Sequence, residues 1–359
     1  METIAVVGLG PAGLALAHRA AMAGWAVTGY DPHPNFHHTV GVFLDELPEW
    51  AQDMPFESVS TPVVYLHDGT RVEVDREYGI LSPTGMQEQL TTFITVERAV
   101  DPASLLARAD VVVDARGNTP NPGDVVQLAW DSFGPLTGET VWMDFRGDPE
   151  MFTYSVPTAH GQLTERTVLA TAFPERYPAH PDVVIPLNPA PWTPQSAANP
   201  PGDEPGAADA NPDLAAVLSA LDAPADEGAR IGRMIPFGAR AGLMNAITGY
   251  SVATSLRLVD PTLQALVEGT PLPWEQKAMA TDIALNRQLL TAMLSLDPPT
   301  RRLIVEAATQ LPVRLQRAFL SLGTRRATLQ AMTKIYVSLP KPVRAAVREA
   351  FARAKNQTV

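Results

Sequence analysis

Apolar residues recur along this chain in more than one rhythm, and the changes of rhythm divide it into parts. Residues 4–7 are a short β-branched run, residues 14–22 have the alanine and leucine content of a buried helix, and residues 26–30 form a second run. Between the first run and the helix lies Gly8-Leu9-Gly10-Pro11-Ala12-Gly13, so the pattern predicts strand, glycine turn, helix and strand, with Asp31 at the end. Residues 63–66 and 71–74 alternate about a turn at Asp68-Gly69 and predict a hairpin. Helical spacing covers residues 86–93 and, briefly, 105–106, while residues 109–115 read as a buried parallel strand that runs into Gly117. Three further strands are expected at 141–146, 152–156 and 162–172.

The pattern then stops. From about 174 to 228 proline, alanine, aspartate and asparagine dominate, which predicts a long surface excursion, a Pro/Ala/Asp-rich loop at about 179–213 and one helix at 214–221, with no chemistry expected there. A glycine-rich loop at 237–250 precedes four or five helices bounded by Pro273, Pro298-Pro299, Pro312, Gly323 and Pro340. Apolar residues three and four apart give these helices a buried face, as at Met279, Ile283, Leu290 and Met293, and again at Leu329, Met332 and Ile335.

Composition narrows the picture. At 359 residues and 45% hydrophobic, the chain can bury a large core in one elaborated α/β unit or two domains. It has no cysteine, which excludes disulfides, thiolate catalysis and cysteine-bound zinc, and suits the cytoplasm. The net charge of −12 argues against a nucleic-acid partner. Basic residues nonetheless crowd the tail from Arg301 to Arg348, which leaves two readings: contact with the inner face of an anionic membrane, or a helical cap with a solvated basic face. The chain opens directly on the nucleotide strand without a basic leader, and no apolar stretch is long enough to span a bilayer.

The glycine turn carries the first candidate chemistry. Gly8 permits the tight turn, Gly10 lets backbone approach a pyrophosphate, Gly13 lets helix and strand pack closely, and Asp31 stands where a ribose hydroxyl is held. The Pro11-Ala12-Gly13 variant of the turn looks like the FAD-binding form more than the NAD one. Gly117 and a second loop with Gly238, Gly242, Thr248 and Gly249 are placed to meet the same cofactor through backbone groups. Asp45 and Glu46 follow Gly41 in an unusual order for a surface loop. Asp144 and Arg146 lie two apart on a strand and so share a face, as an ion pair or as site residues, whereas Glu165 and Arg166 point to opposite faces. The three histidines His33, His37 and His38 lack a carboxylate at ligand spacing, so no metal is expected.

In order and spacing these segments resemble the flavin-dependent lycopene cyclases. The family's NNYGVW-x-DE stretch appears as residues 38–46, its VVDATG as 112–117, its MDFR as 143–146, its FLEET strand as 163–167, and its FGGAASMVHPASGY loop as 237–250. The resemblance implies an α/β fold: a discontinuous FAD-binding, Rossmann-like (glutathione reductase-type) domain at 1–58, 79–125 and 229–270, an antiparallel sheet substrate domain at 59–78 and 126–228, and a C-terminal helical cap at 271–359. It implies a redox-neutral isomerase, an intramolecular lyase by reaction type. Such an enzyme holds reduced FAD, uses NAD(P)H as reductant, and closes a ring on a linear polyene or prenyl chain by acid-initiated carbocation chemistry. Glu165 is then the candidate acid, Asp144 and Arg146 shape the site, Asp45 and Glu46 line it, and Gly41 lies beside the cofactor. The chain departs from the family at Arg166, Asn245-Ala246 and Ile304-Val305, and only 7% of it is aromatic, which loosens the substrate. A redox flavoprotein (an FAD-dependent monooxygenase or prenyl reductase) and a degenerate FAD-fold binding protein remain as alternatives. The former usually carries an acid after the glycine of its second loop, where this chain has Ala239.

Overall fold

The computed structural model describes residues 2–120, 124–171, 180–187, 192–193 and 232–357. The helix expected at 214–221 and most of the loop at 179–213 lie outside the described residues.

The first layer is a parallel sheet. Strands β1 (Thr3–Val7), β2 (Ala26–Tyr30), β8 (Ile94–Val96), β9 (Val111–Asp114) and β15 (Arg233–Pro236) lie in the order β15-β9-β1-β2-β8. Its central strands are apolar along their length because both faces are covered. Ile4, Val6 and Val113 pack on one side with α1 (Pro11–Met22) and α3 (Val252–Glu268), and Ala5, Val7 and Val112 pack on the other with Tyr30 and Leu105. Helix α1 starts with Pro11, whose fixed φ suits a first helical position and whose missing N–H costs nothing there.

Two further sheets follow, antiparallel except at one pair of strands. The larger one has the order β14-β10-β13-β12-β11-β5-β6, built from β5 (Val63–Tyr65), β6 (Arg71–Glu73), β10 (Val125–Gly134), β11 (Val141–Asp144), β12 (Met151–Thr158), β13 (Gly161–Thr171) and β14 (Val183–Pro186), and its β11 and β5 run parallel. The smaller one, β3-β7-β4, joins β3 (Val40–Phe43), β4 (Phe56–Ser60) and β7 (Tyr78–Leu81). A short helix, α2 (Pro83–Leu90), returns the chain to the parallel sheet, capped by the Ser82 hydroxyl, which accepts the Gly85 N–H at 3.2 Å. Strand β14 is a correction to the unstructured excursion: residues 183–186 alternate weakly, yet they pair with β10.

The tail forms α4 (Lys277–Leu294), α5 (Pro298–Thr309), α6 (Val313–Leu320), α7 (Arg325–Ser338) and α8 (Lys341–Gln357). The prolines do set the boundaries: Asp297 caps α5 by accepting the Thr300 N–H at 2.8 Å, with Pro298 and Pro299 opening the helix. The predicted stripe on α7 is only partly a core face, since Ile335 is buried while Leu329 is 42% exposed.

Candidate functional site

The two glycine turns meet at the start of α1. Gly8 has φ +95°, and a Cβ there would lie 2.6 Å from the Arg116 backbone, so only glycine fits. Around Gly10, by contrast, a Cβ would find nothing within 4 Å, which leaves open space beside the free N–H groups of the α1 N-terminus. Gly117 is equally open, and Gly238 (φ +62°) sits so close to Ala12 that a Cβ would come within 2.9 Å of the alanine's own. These residues fit an adenine dinucleotide: an uncrowded anion cradle at a helix N-terminus, roofed by a second turn. Asp31 has an additional duty, because its carboxylate accepts the N–H of Leu9 at 2.7 Å and of His33 at 2.8 Å, tying the turn to β2. Each oxygen keeps a lone pair for a ribose hydroxyl.

The other residues expected to meet the cofactor have local roles in the fold. At Gly41 a side chain would run into the phenol of Tyr78, so this glycine admits a tyrosine. The N–H groups of Thr248 and Gly249 donate to the Asn245 side-chain and backbone oxygens at 3.2 and 2.9 Å, so they close a turn and are not free for a ligand. Gly242 (φ +74°) ends the short helical turn after Gly238, near Ile283 and Arg287.

Strand β13 separates Glu165 from Arg166 as its period of two requires. Glu165 lies opposite Asp131 of β10 and Tyr154 of β12, on the face that Gln127 presents toward Gly249, and it accepts the Thr167 hydroxyl at 2.9 Å. Burial, reinforced by the charges of Asp131 and Asp182, pushes its carboxyl up to about 7, against a single hydrogen bond from Thr167 pulling down. Burial and Asp182 raise Asp131 as well.

Asp144 and Arg146 do not join it. Asp144 pairs with Thr153, which pairs with Arg166, so the Asp144 side chain is on the opposite face of the sheet from Glu165. Arg146 binds Asp144 through two hydrogen bonds of 2.9 and 2.6 Å and lies over the Tyr65 ring. Burial would raise the Asp144 carboxyl, but Arg146 outweighs it and holds it below its ordinary value. The ion-pair reading is the right one. Asp45 is likewise turned outward, to Arg76 at 2.6 Å and Arg317 at 3.5 Å. Glu46 is fully buried, but both its oxygens are engaged, one by Arg76 and one by the Ser321 hydroxyl at 2.9 Å. This acidic pair therefore ties β3, the loop before β7 and the end of α6 together.

Sequence reading missed the rings beside Glu165. Phe43, Tyr78, Trp142, Tyr154 and Tyr250 gather in one cluster between the sheets. Phe43 meets Tyr78 and Trp142 edge to face at 4.9 and 5.0 Å, Tyr78 and Tyr154 share a hydrogen bond of 3.3 Å, and the Tyr250 hydroxyl accepts the Phe43 N–H at 3.0 Å. Burial raises all three phenols, which stay neutral at physiological pH. Arg76 stacks on Phe43 from the far side at 3.8 Å. A low overall aromatic content concealed this, because the rings come from five separate segments.

A second missed feature is Asp114 at the end of β9. It is fully buried and accepts from Arg116 at 2.8 and 3.0 Å, Arg240 at 3.3 Å and Trp192 at 3.2 Å. Burial raises its carboxyl, but the two guanidinium groups outweigh that and hold it low. Trp192 lies in the Pro/Ala/Asp-rich stretch and is tied to the end of β9 by this hydrogen bond. Arg240 also puts a guanidinium two residues beyond Gly238, close to where redox flavoproteins carry an acid.

Comparison with known proteins agrees with this geometry at the level of the fold. The family model described as lycopene cyclase protein matches residues 3–116. The chloroplastic lycopene beta cyclase of Nicotiana tabacum is 40% identical over 79 residues, which is 21% of this chain and 16% of that protein. The chain thus aligns with only about a sixth of the length of the curated relatives it matches. Among solved structures, CtdE in complex with FAD and a substrate has a TM-score of 0.52 at 11% identity, with 94% of this chain and 100% of that one covered. A 2-methyl-3-hydroxypyridine-5-carboxylic acid oxygenase has a TM-score of 0.48 at 14% identity, with 84% and 96% covered. The fold is that of the FAD-binding oxidoreductases: a Rossmann-like parallel sheet, antiparallel sheets and C-terminal helices.

Proposed function

We propose that this protein is an FAD-dependent, redox-neutral cyclase of the lycopene cyclase type, in which Glu165 starts ring closure on the end of a linear polyene or prenyl chain. The observation that carries the reading is a carboxyl raised to about 7 on the face of the sheet turned toward the second glycine loop, next to a cluster of neutral aromatic rings. FAD would be held by Gly8, Gly10, Ala12, Gly13, Asp31, Gly117 and Gly238, and NAD(P)H would reduce it. Bound and reduced, the flavin supplies fixed negative charge that favours a cation nearby.

The chain's own groups do the rest. Near neutral pH a substantial fraction of Glu165 carries its proton, so it can donate to the terminal alkene carbon of the substrate. The cation closes on a neighbouring alkene, forming one carbon–carbon bond, and a proton leaves an adjacent carbon, so substrate and product have the same atoms. The rings of Tyr78, Trp142, Tyr154 and Tyr250 would offer quadrupole stabilisation to positive charge, and their packing would exclude water that could quench it. No helix among the described residues is long and apolar enough to cross a membrane. The cytoplasmic chain would instead reach its apolar substrate by resting α7 on the membrane's inner face, where exposed Leu329 and Val337 stand among Arg326 and Lys334.

Incubation of the reduced protein with linear polyenes, followed by mass spectrometry of the product, tests this. An isomer of unchanged mass is expected. Addition of oxygen identifies a monooxygenase and addition of hydrogen a reductase, and either result removes the cyclase reading.

A further inference from the structure

A large apolar hollow in the described structure lies away from Glu165. It lies inside the C-terminal helices, has a volume of about 380 Å³, and is walled chiefly by aliphatic and aromatic side chains of α4 to α8, among them Ala292, Met293, Met332 and Ile335. Polar groups occur at Thr333, Tyr336 and Arg348, the first and last of them exposed. The hollow is concave and about half open to solvent, so its apolar lining stays in contact with water unless an apolar ligand covers it.

A second cavity, of about 20 Å³, lies against Trp142, Met143 and Thr248. Val305 of α5 and Phe319 of α6 line both. These two side chains are therefore the partition between the bundle's hollow and the aromatic cluster to which Trp142 belongs. Neither is locked by a hydrogen bond, and a rotamer change at Phe319 needs no polar group to be broken.

We infer that the helical cavity binds a linear hydrocarbon chain, with the passage at Val305 and Phe319 leading one end of that chain toward the aromatic cluster. The dimensions suit it: sites for small apolar ligands span roughly 300–1,000 Å³, and the lining runs from exposed Leu329, Thr333 and Arg348 to buried Phe319. That the chain is the far arm of the substrate rests on the cyclase reading; that the cavity takes a hydrocarbon does not. An isoprenoid arm and a fatty acyl chain share this chemistry, and displacement separates them.

The test is binding of cis-parinaric acid, an 18-carbon conjugated tetraene whose emission rises in apolar surroundings, to the full-length, flavin-loaded protein. Binding is expected, with geranylgeraniol displacing the probe at lower concentration than palmitate. Ala292→Phe, which fills the hollow, should weaken probe affinity at least tenfold with flavin content unchanged. Met332→Lys places a charge at the half-exposed rim, should weaken it similarly, and serves if the first variant fails to fold. Absence of binding, or affinity unchanged in the variants that fold, overturns the proposal. Stronger displacement by palmitate overturns the assignment to the substrate's arm. Turnover is not needed for any of these readouts, so a protein that binds the chain but makes no cyclised product would refute the proposed function and leave the cavity's role standing.

Discussion

A glutamate inside a sheet is ordinarily solvated and ionised, and Glu165 departs from this because burial disfavours its charge and the nearby Asp131 and Asp182 add to that. The raised carboxyl has a consequence that needs no substrate. With the value near 4.5 when unfolded and about 7 when folded, the native state keeps a proton that the unfolded chain loses. The associated stability is intact below about pH 4.5 and is lost as pH climbs through 7, an upper bound of about 3 kcal/mol. In urea denaturation, Glu165→Gln should therefore flatten the decline in stability between pH 5 and pH 8, and an undiminished slope would show that Glu165 titrates normally. At this scale the sequence was legible where one position carries the constraint. The opposite facing of Glu165 and Arg166 follows from strand period alone. The partners of Asp45, Glu46 and Gly41 were not legible, because Arg76, Ser321 and Tyr78 reach them from segments up to 275 residues away.

Among the elements, the opening strand, turn and helix read directly from sequence, since glycine and proline fix backbone geometry locally. The cradle they form can be tested cleanly. Gly10 has φ −64° and open space around it, so Gly10→Val should leave the fold and its melting temperature nearly unchanged while filling the cradle. Flavin absorbance per protein should fall more than tenfold, and a fully loaded variant would contradict the cradle. The same substitution at Gly8 would mean less, because it breaks the turn itself. Strand β10 escaped the sequence reading although Val126, Leu128 and Trp130 alternate with Gln127 and Asp131; the two polar residues share the face of Glu165. Strands β3, β4 and β7 are short and come together from separate segments, which leaves no local hairpin signal.

At the scale of the whole molecule, the sheets and the helical tail are held around the site by polar ties that composition does not reveal. Arg76, Glu46 and Ser321 join β3, the loop before β7 and the end of α6, and Asn245 donates to the Phe319 carbonyl at 2.7 Å, linking the second glycine loop to the same helix end. Net charge and cysteine content could bound the partners but could not place five rings and one acid together. That placement makes the central claim specific, because a donor in a dry aromatic site must leave its own proton on the product. The direct measurement is turnover of a linear polyene by the reduced protein in D2O, followed by isotope analysis. The account predicts one carbon-bound deuterium per ring closed, an otherwise unchanged product, and no product from Glu165→Gln. Rings formed without deuterium, or formed equally well by Glu165→Gln, would contradict it.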